Sequence, residues 1–192
     1  MNKSKECKAE FDYVAYHYVT SFTRRWKSKI SHMQQNKNEK NYVFDRFICE
    51  FIIYSALVNV IKPQAHKSFH DFKYSTNIMA KFIAERMEDN FMLKLSNPVN
   101  DLISIIESKQ FSVVSSNGKN PELKNNWNSN ESFTQLGALL ETLYYLRCNL
   151  FHGEKEFSND QIGLLKPAYQ CLSHINKEIL NIFSDESESY NK

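Results

Sequence analysis

Arg147 and His152 are the two residues of this chain whose types and spacing suggest chemistry, with Asn149 between them. A guanidinium stays charged across the physiological range and grips phosphate through its planar fork, while an imidazole takes or gives a proton near neutral pH. Together they outline a site that cleaves a phosphodiester, the arginine stabilising charge on the phosphoryl oxygens and the histidine moving the proton. Asn149 is a third candidate, for positioning substrate. On a helix, five residues separate Arg147 from His152 by roughly 7.5 Å of rise and roughly 140° of rotation. The two do not stack as an i, i+4 pair does, yet both can reach one phosphate lying along the helix end.

The helix that must present them reads from Ser132 to His152. Leu136, Leu139, Leu140, Leu143 and Leu150 follow the three-and-four spacing of an amphipathic helix, and Arg147 falls on that stripe where a leucine is expected. Ser132-Phe133-Thr134-Gln135 has the form of a capping box, and Gly153 can end the helix in the left-handed conformation. The competing reading is structural: Arg147 lays its stem on apolar neighbours, and His152 sits at a C-terminus that favours positive charge.

The string Arg147-Cys148-Asn149-Leu150-Phe151-His152-Gly153-Glu154-Lys155 resembles the signature of the HEPN superfamily, helical domains marked by an arginine followed, after four to six residues, by a histidine; four intervene here. The apolar block Phe47 to Asn59 is similar to the long second helix of such domains. The resemblance implies an all-α, HEPN-like bundle of five or six helices that dimerises so that two Arg/His pairs line one cleft. It implies a metal-independent endoribonuclease, a toxin or phage-defence effector that attacks through the RNA's own 2′-hydroxyl and needs no cofactor. Its partners are then RNA, a second copy of the chain, and an antitoxin or other defence-system protein. Two positions depart from the family pattern. Cys148 stands where members often carry Asn, Asp or His after the arginine, and Glu154 stands where a subgroup regulated by nucleotide transfer carries a tyrosine. The alternatives are a non-catalytic HEPN-like module that binds RNA or nucleotide or docks a protein, and a plain helical interaction protein.

The remainder of the chain reads as scaffold. With 192 residues, 42% of them hydrophobic, it can bury one sizeable core, and only four glycines and four prolines disfavour a turn-rich β fold. A helical domain is expected over residues 1–184, with 185–192 an acidic, disordered tail. The net charge of +2 hides an asymmetry: residues 1–96 hold 16 Lys and Arg against 10 Asp and Glu, residues 97–192 hold 8 against 12. The basic excess includes Arg24, Arg25, Lys27 and Lys29 around Trp26, a cluster able to hold RNA phosphates and stack a base. Its plain alternative is a solvated helix end with Trp26 tucked into the core.

Cysteines 7, 49, 148 and 171 form no Cys-x-x-Cys pair and have no histidine at zinc spacing, so neither a metal nor a disulfide framework is expected. His66 and His70 lack a third ligand nearby. The first residues do not read as a signal peptide, and the longest uncharged apolar run, Phe51 to Ile61, is shorter than the roughly 20 residues a membrane span needs. The expectation is a membrane-free, cytoplasmic protein with free thiols.

The expected elements follow in order. Phe11, Val14, Tyr18 and Phe22 continue into Trp26 and Ile30 as a first helix, and Met33 to Lys40 reads as loop. Tyr42 to Ile61 is a central buried helix whose Asp45, Arg46 and Glu50 belong at a wet end or edge. A third helix starts at Ser68 and runs towards Leu95, and Asn97-Pro98 starts a short fourth. Gln110 to Asn130 is a long loop anchored by Trp127, either a flap or disordered. A last helix opens at the capping box Ser158 to Gln161, is kinked by Pro167, and pairs antiparallel with the motif helix.

Overall fold

Apolar residues recurring every three or four positions give each helix one stripe to bury, and the computed structural model is all-α over the residues it describes: 13–35, 39–61, 71–108, 113, 122–151 and 159–190. The helices are α1 (Tyr13–Gln35), α2 (Glu39–Val60), α3 (Asp71–Lys73), α4 (Met79–Ala84), α5 (Phe91–Glu107), α6 (Leu123–Trp127), α7 (Ser132–Phe151) and α8 (Asn159–Tyr190). A π-helical turn, Tyr74–Ile78, joins α3 to α4 without a break. Taken as one, these three parts leave seven helical bodies among the described residues, where five or six were expected.

The core is one cluster of buried side chains. As expected, α2 lies at its centre: Val43, Phe47, Ile53, Leu57, Val58 and Val60 are buried, and α1 and α8 pack along it. α8 is the longest helix at 32 residues, and its stripe of Leu164, Leu165, Ala168, Leu172, Ile175, Ile179 and Phe183 is sealed by α2 and α5. α7 buries Leu136, Leu139, Leu140, Leu143 and Leu146 against α4, the π turn and α6. α8 therefore takes α2 and α5 as its main neighbours, and not the motif helix as expected from the short connection. α2 is apolar on nearly every side and offers α8 a larger surface to cover.

Several boundaries depart from the sequence reading. α1 runs to Gln35 and α2 begins at Glu39, so the expected 33–40 loop is mostly helix. The third helix ends at Ala84, and α5 starts at Phe91, with Pro98 inside it rather than at its first position. Pro98 lies on the stripe Phe91, Leu95, Pro98, Val99, Leu102 that α5 buries. Packing of that stripe outweighs the one helical hydrogen bond that proline cannot donate. The Glu178 carboxylate of α8, itself buried, accepts the Glu88 N–H at 2.7 Å and fixes the turn that precedes α5.

Within the expected 110–130 loop, α6 forms and buries Leu123 and Trp127 against α7, so Trp127 is the anchor it was taken for, on a helix. The first helical residue of α7 is Ser132, which places Glu131 at the cap. The Gln135 side chain does not close a capping box but donates to the Trp127 carbonyl at 2.7 Å, while the Glu131 carboxylate accepts the Thr134 hydroxyl at 3.1 Å. Pro167 lies inside α8, which continues through Tyr190 and so takes residues 185–190 of the expected disordered tail into the helix.

Arg46 and Glu50 are not at a wet edge. Their ion pair closes at 2.6 Å with side chains 15% and 5% exposed, inside the α2–α8 seam. The Asn176 amide donates both to the Glu50 carboxylate at 2.8 Å and to its backbone carbonyl at 2.9 Å. Arg46 reaches Ser173 at 3.4 Å and lies over the Tyr169 ring. A buried charge needs such partners, which here come from a helix more than 120 residues away in sequence. Asp45 is exposed, as expected.

Candidate functional site

α7 carries Arg147 in its last turns, on the side that continues the buried leucines Leu139, Leu143 and Leu146. The side chain is half-buried. Its guanidinium carbon lies 5.4 Å from the centre of the Phe51 ring of α2 and 5.9 Å from that of Tyr144, one turn earlier on α7. The two rings attract the guanidinium charge by cation–π interaction. This is how a charge is accommodated on an apolar stripe.

The floor beneath Arg147 is built from three elements. Phe51, 5% exposed, comes from α2 and meets Tyr54 at 5.9 Å and Tyr144 at 6.5 Å. Tyr54 is fully buried, and its hydroxyl donates to the Ser75 carbonyl in the π turn. The Met79 N–H reaches back to the Tyr74 carbonyl, five residues earlier, in place of simple α-helical pairing. That turn follows directly on Asp71 and Phe72, which face α7. The Asp71 carboxylate accepts the Tyr144 hydroxyl at 3.4 Å and the Ser75 hydroxyl at 3.5 Å. Phe72 packs edge-on against Tyr144 at 5.2 Å and nearly parallel to Tyr145 at 5.5 Å.

Electrostatics keep the phenols neutral. Burial, then the negative charge of Asp71 and the neighbouring Cys148, push Tyr144 from its ordinary 10.0 up to about 12, against an opposing pull from Arg147. Tyr145 is raised as well, by burial first and then by Glu141, which also hydrogen-bonds it. Both are therefore hydrogen-bond donors at neutral pH and neither is a base.

His152 lies outside the described residues, as do His66, His70 and Cys7. Asn149 is half-buried, and two helical steps turn it about 200° round from Arg147, onto another face of α7. Arg24, Arg25, Lys27 and Lys29 are exposed on α1, whose main neighbour is α2. Trp26 between them is half-buried against the core, with the Lys29 ammonium 4.3 Å from its ring centre. The α1 cluster is not at a helix end, since α1 continues to Gln35; it is an exposed stretch within the helix around a packed tryptophan, and it does not share an element with Arg147.

Phe51, Asp71, Phe72 and Tyr144 were missed by sequence reasoning. Tyr144 carried a usable signal, standing three residues before Arg147 on the same helix; the others are brought in by tertiary packing alone. A cavity of about 260 Å³ between α5 and α6, lined by Ile103, Ile106, Leu123 and Lys124 among others, holds none of the sequence-predicted site residues. Among the described residues no three His, Cys, Asp or Glu side chains cluster as metal ligands, Cys49, Cys148 and Cys171 are free thiols, and no helix is long and apolar enough to cross a membrane. Compared with known proteins, the chain matches no protein-family model, no curated protein and no solved structure.

Proposed function

We propose that the chain is a metal-independent endoribonuclease of HEPN type, a toxin or phage-defence effector that works as a homodimer in the cytoplasm, with Arg147 and His152 at its centre. The reading is supported above all by the Arg-x4-His spacing that begins in the last turns of α7, and by Arg147 lying only half-buried beside the Phe51 and Tyr144 rings. In the reaction, the RNA 2′-oxygen bonds to the adjacent phosphorus as the bond from phosphorus to the 5′-oxygen breaks. His152 handles the proton, taking it from the 2′-hydroxyl and giving it to the leaving 5′-oxygen. Arg147 stabilises the charge that builds on the phosphoryl oxygens.

The half-burial of Arg147 favours one second reading, a non-catalytic HEPN-like module that binds RNA or nucleotide or docks a protein, in which the guanidinium is chiefly a packing group. Substitution separates the two. His152→Ala and Arg147→Ala abolish cleavage of single-stranded RNA in the nuclease, and the docking module has no cleavage to lose. Leu143→Ala serves as the structural control: a leucine 1% exposed costs about 2–5 kcal/mol of stability when truncated. Cleavage that survives either site substitution refutes the assignment, and a chain that light scattering shows to be monomeric at micromolar concentration refutes the shared cleft.

A further inference from the structure

Tyr18 is 74% exposed, although it stands on the same four-residue spacing as Phe22 and Trp26, half-buried rings that meet at 6.0 Å. The end of α8 accounts for the difference: the Phe183 ring packs on Tyr16 at 6.1 Å, and two helical steps, about 200°, turn Tyr18 away from it. The 23 residues of α1 also carry four cations, Arg24, Arg25, Lys27 and Lys29, and no carboxylate. Among the described residues none of the four closes an ion pair, whereas Arg46, Lys94 and Lys124 each do. Lys29 lies over the Trp26 ring instead, at 4.3 Å. At roughly 100° per residue, Tyr18, Phe22, Arg25, Trp26 and Lys29 fall within one arc of about 100° that borders the buried Val19, Thr23 and Ile30. Arg24 and Lys27 fall about 120° and about 180° round from Tyr18.

We propose that this flank of α1 is a binding surface for single-stranded RNA, on which a base stacks on Tyr18 and neighbouring phosphates meet Arg25 and Lys29. The choice of RNA as occupant rests on the nuclease reading above; the surface itself is carried by α1 alone. A row of cations without carboxylates attracts a polyanion and releases its counterions. A ring open over most of its surface lets an unpaired base stack whatever its identity, because every base has a π-face. Duplex RNA, whose bases are stacked internally, offers no such face. From Tyr18 to Lys29 the helix rises roughly 16 Å, enough to follow a strand across more than one phosphate. Asp45 of α2 stands towards the Lys29 end, where both charges act on the Cys49 thiol, and bounds the cationic track there. An anionic membrane fits this surface less well. Interfacial binding scales with the apolar area a helix can bury in lipid. Val19 and Ile30 of α1 are each 4% exposed and face the core, and the open ring carries a hydroxyl.

The test uses the full chain and a 2′-O-methyl oligonucleotide, which binds as single-stranded RNA but cannot be cut by 2′-hydroxyl attack. Fluorescence anisotropy should show Tyr18→Ala weakening binding about tenfold, within the range for loss of one stacked base. Its melting temperature and its salt dependence should match the wild type, and Tyr18→Phe, which keeps the ring, should restore the affinity. Arg25→Gln/Lys29→Gln should lower the slope of log affinity against log salt by about 1.4. Arg24→Gln/Lys27→Gln removes the same charge from the far side of the helix and should lower the slope clearly less. No binding by the unaltered chain, wild-type affinity in Tyr18→Ala, or equal slopes in the two glutamine pairs each overturns the surface. So does Tyr18-dependent capture by phosphatidylserine vesicles without oligonucleotide binding. Tyr18-dependent RNA binding by a chain that cleaves nothing leaves the surface standing and removes the nuclease. Cleavage that needs Arg147 and His152, with binding that ignores α1, does the reverse.

Discussion

Replacing Glu50 with alanine removes the carboxylate that neutralises Arg46 inside the α2–α8 seam. Arg46 is only 15% exposed and cannot turn to water without leaving the seam, so its charge loses a partner at 2.6 Å and keeps a hydroxyl at 3.4 Å and the Tyr169 ring. Asn176 loses one acceptor in the same step. Breaking a buried pair from one side costs about 3–5 kcal/mol. At the lower figure, a denaturant slope of about 2 kcal/mol per molar urea puts the loss at roughly 1.5 M in midpoint, and a chain of this size should melt roughly 6–12 °C lower. Equilibrium urea unfolding of the wild type, Glu50→Ala, Glu50→Gln and the double variant Arg46→Met/Glu50→Leu measures this. Glu50→Gln keeps an acceptor for Asn176 and should fall between wild type and alanine. The double variant removes both charges and fills the seam, so it should come within about 1 kcal/mol of wild type or exceed it. Glu50→Ala within about 1 kcal/mol of wild type at unchanged slope, or a double variant as unstable as the single, refutes the view that a buried charge pair clamps α2 to α8. The clamp bears on the site because Phe51, the ring under Arg147, is the next residue.

Thiol labelling under native conditions should modify Cys148, which is half-buried beside Tyr144 and Tyr145, well before Cys49 and Cys171, whose thiols are buried and raised by burial; mass spectrometry of the labelled peptides showing Cys171 first contradicts the packing of α8. The Tyr144 phenol ionises at about 12 in the folded chain and near 10.0 when unfolded. The unfolded state therefore sheds this proton first, so the stability contribution is complete below about pH 10 and declines as pH rises towards 12. Tyr144→Phe should flatten that alkaline limb of a melting-temperature profile, and an unaltered limb counts against the phenol's burial against Asp71.

The helices that were legible from sequence are those whose burial is periodic within themselves. α2 shows itself by apolar residues on every side and α7 by its leucines, whereas α6, five residues in polar sequence, was read as loop and only its anchor Trp127 was legible. Local cap signals were less reliable, because packing overrode them. Asn97-Pro98 looks like a helix start but falls inside α5, where Pro98 faces the core, and Gln135 spends its amide on Trp127 instead of a capping box. Arg46 and Glu50 were read as wet because their partners, Ser173 and Asn176, lie in α8. Arg147 was legible as the odd residue on an apolar stripe; the rings that accommodate it were not, since the π turn that brings Asp71 and Phe72 to α7 leaves no mark in the spacing of residues 74–78.

His152 and Arg147 can serve a route that uses the substrate's own 2′-hydroxyl, without the clustered carboxylates that hold hard cations in metal-dependent nucleases. Single-stranded RNA incubated with the protein in excess EDTA should be cleaved to fragments ending in 2′,3′-cyclic phosphate. Replacing the 2′-hydroxyl at the cut site by hydrogen should stop the reaction, and His152→Ala should be inactive on both substrates. Cleavage of the deoxy-substituted strand, or activity that disappears on chelation and returns with Mg²⁺, contradicts the proposed mechanism.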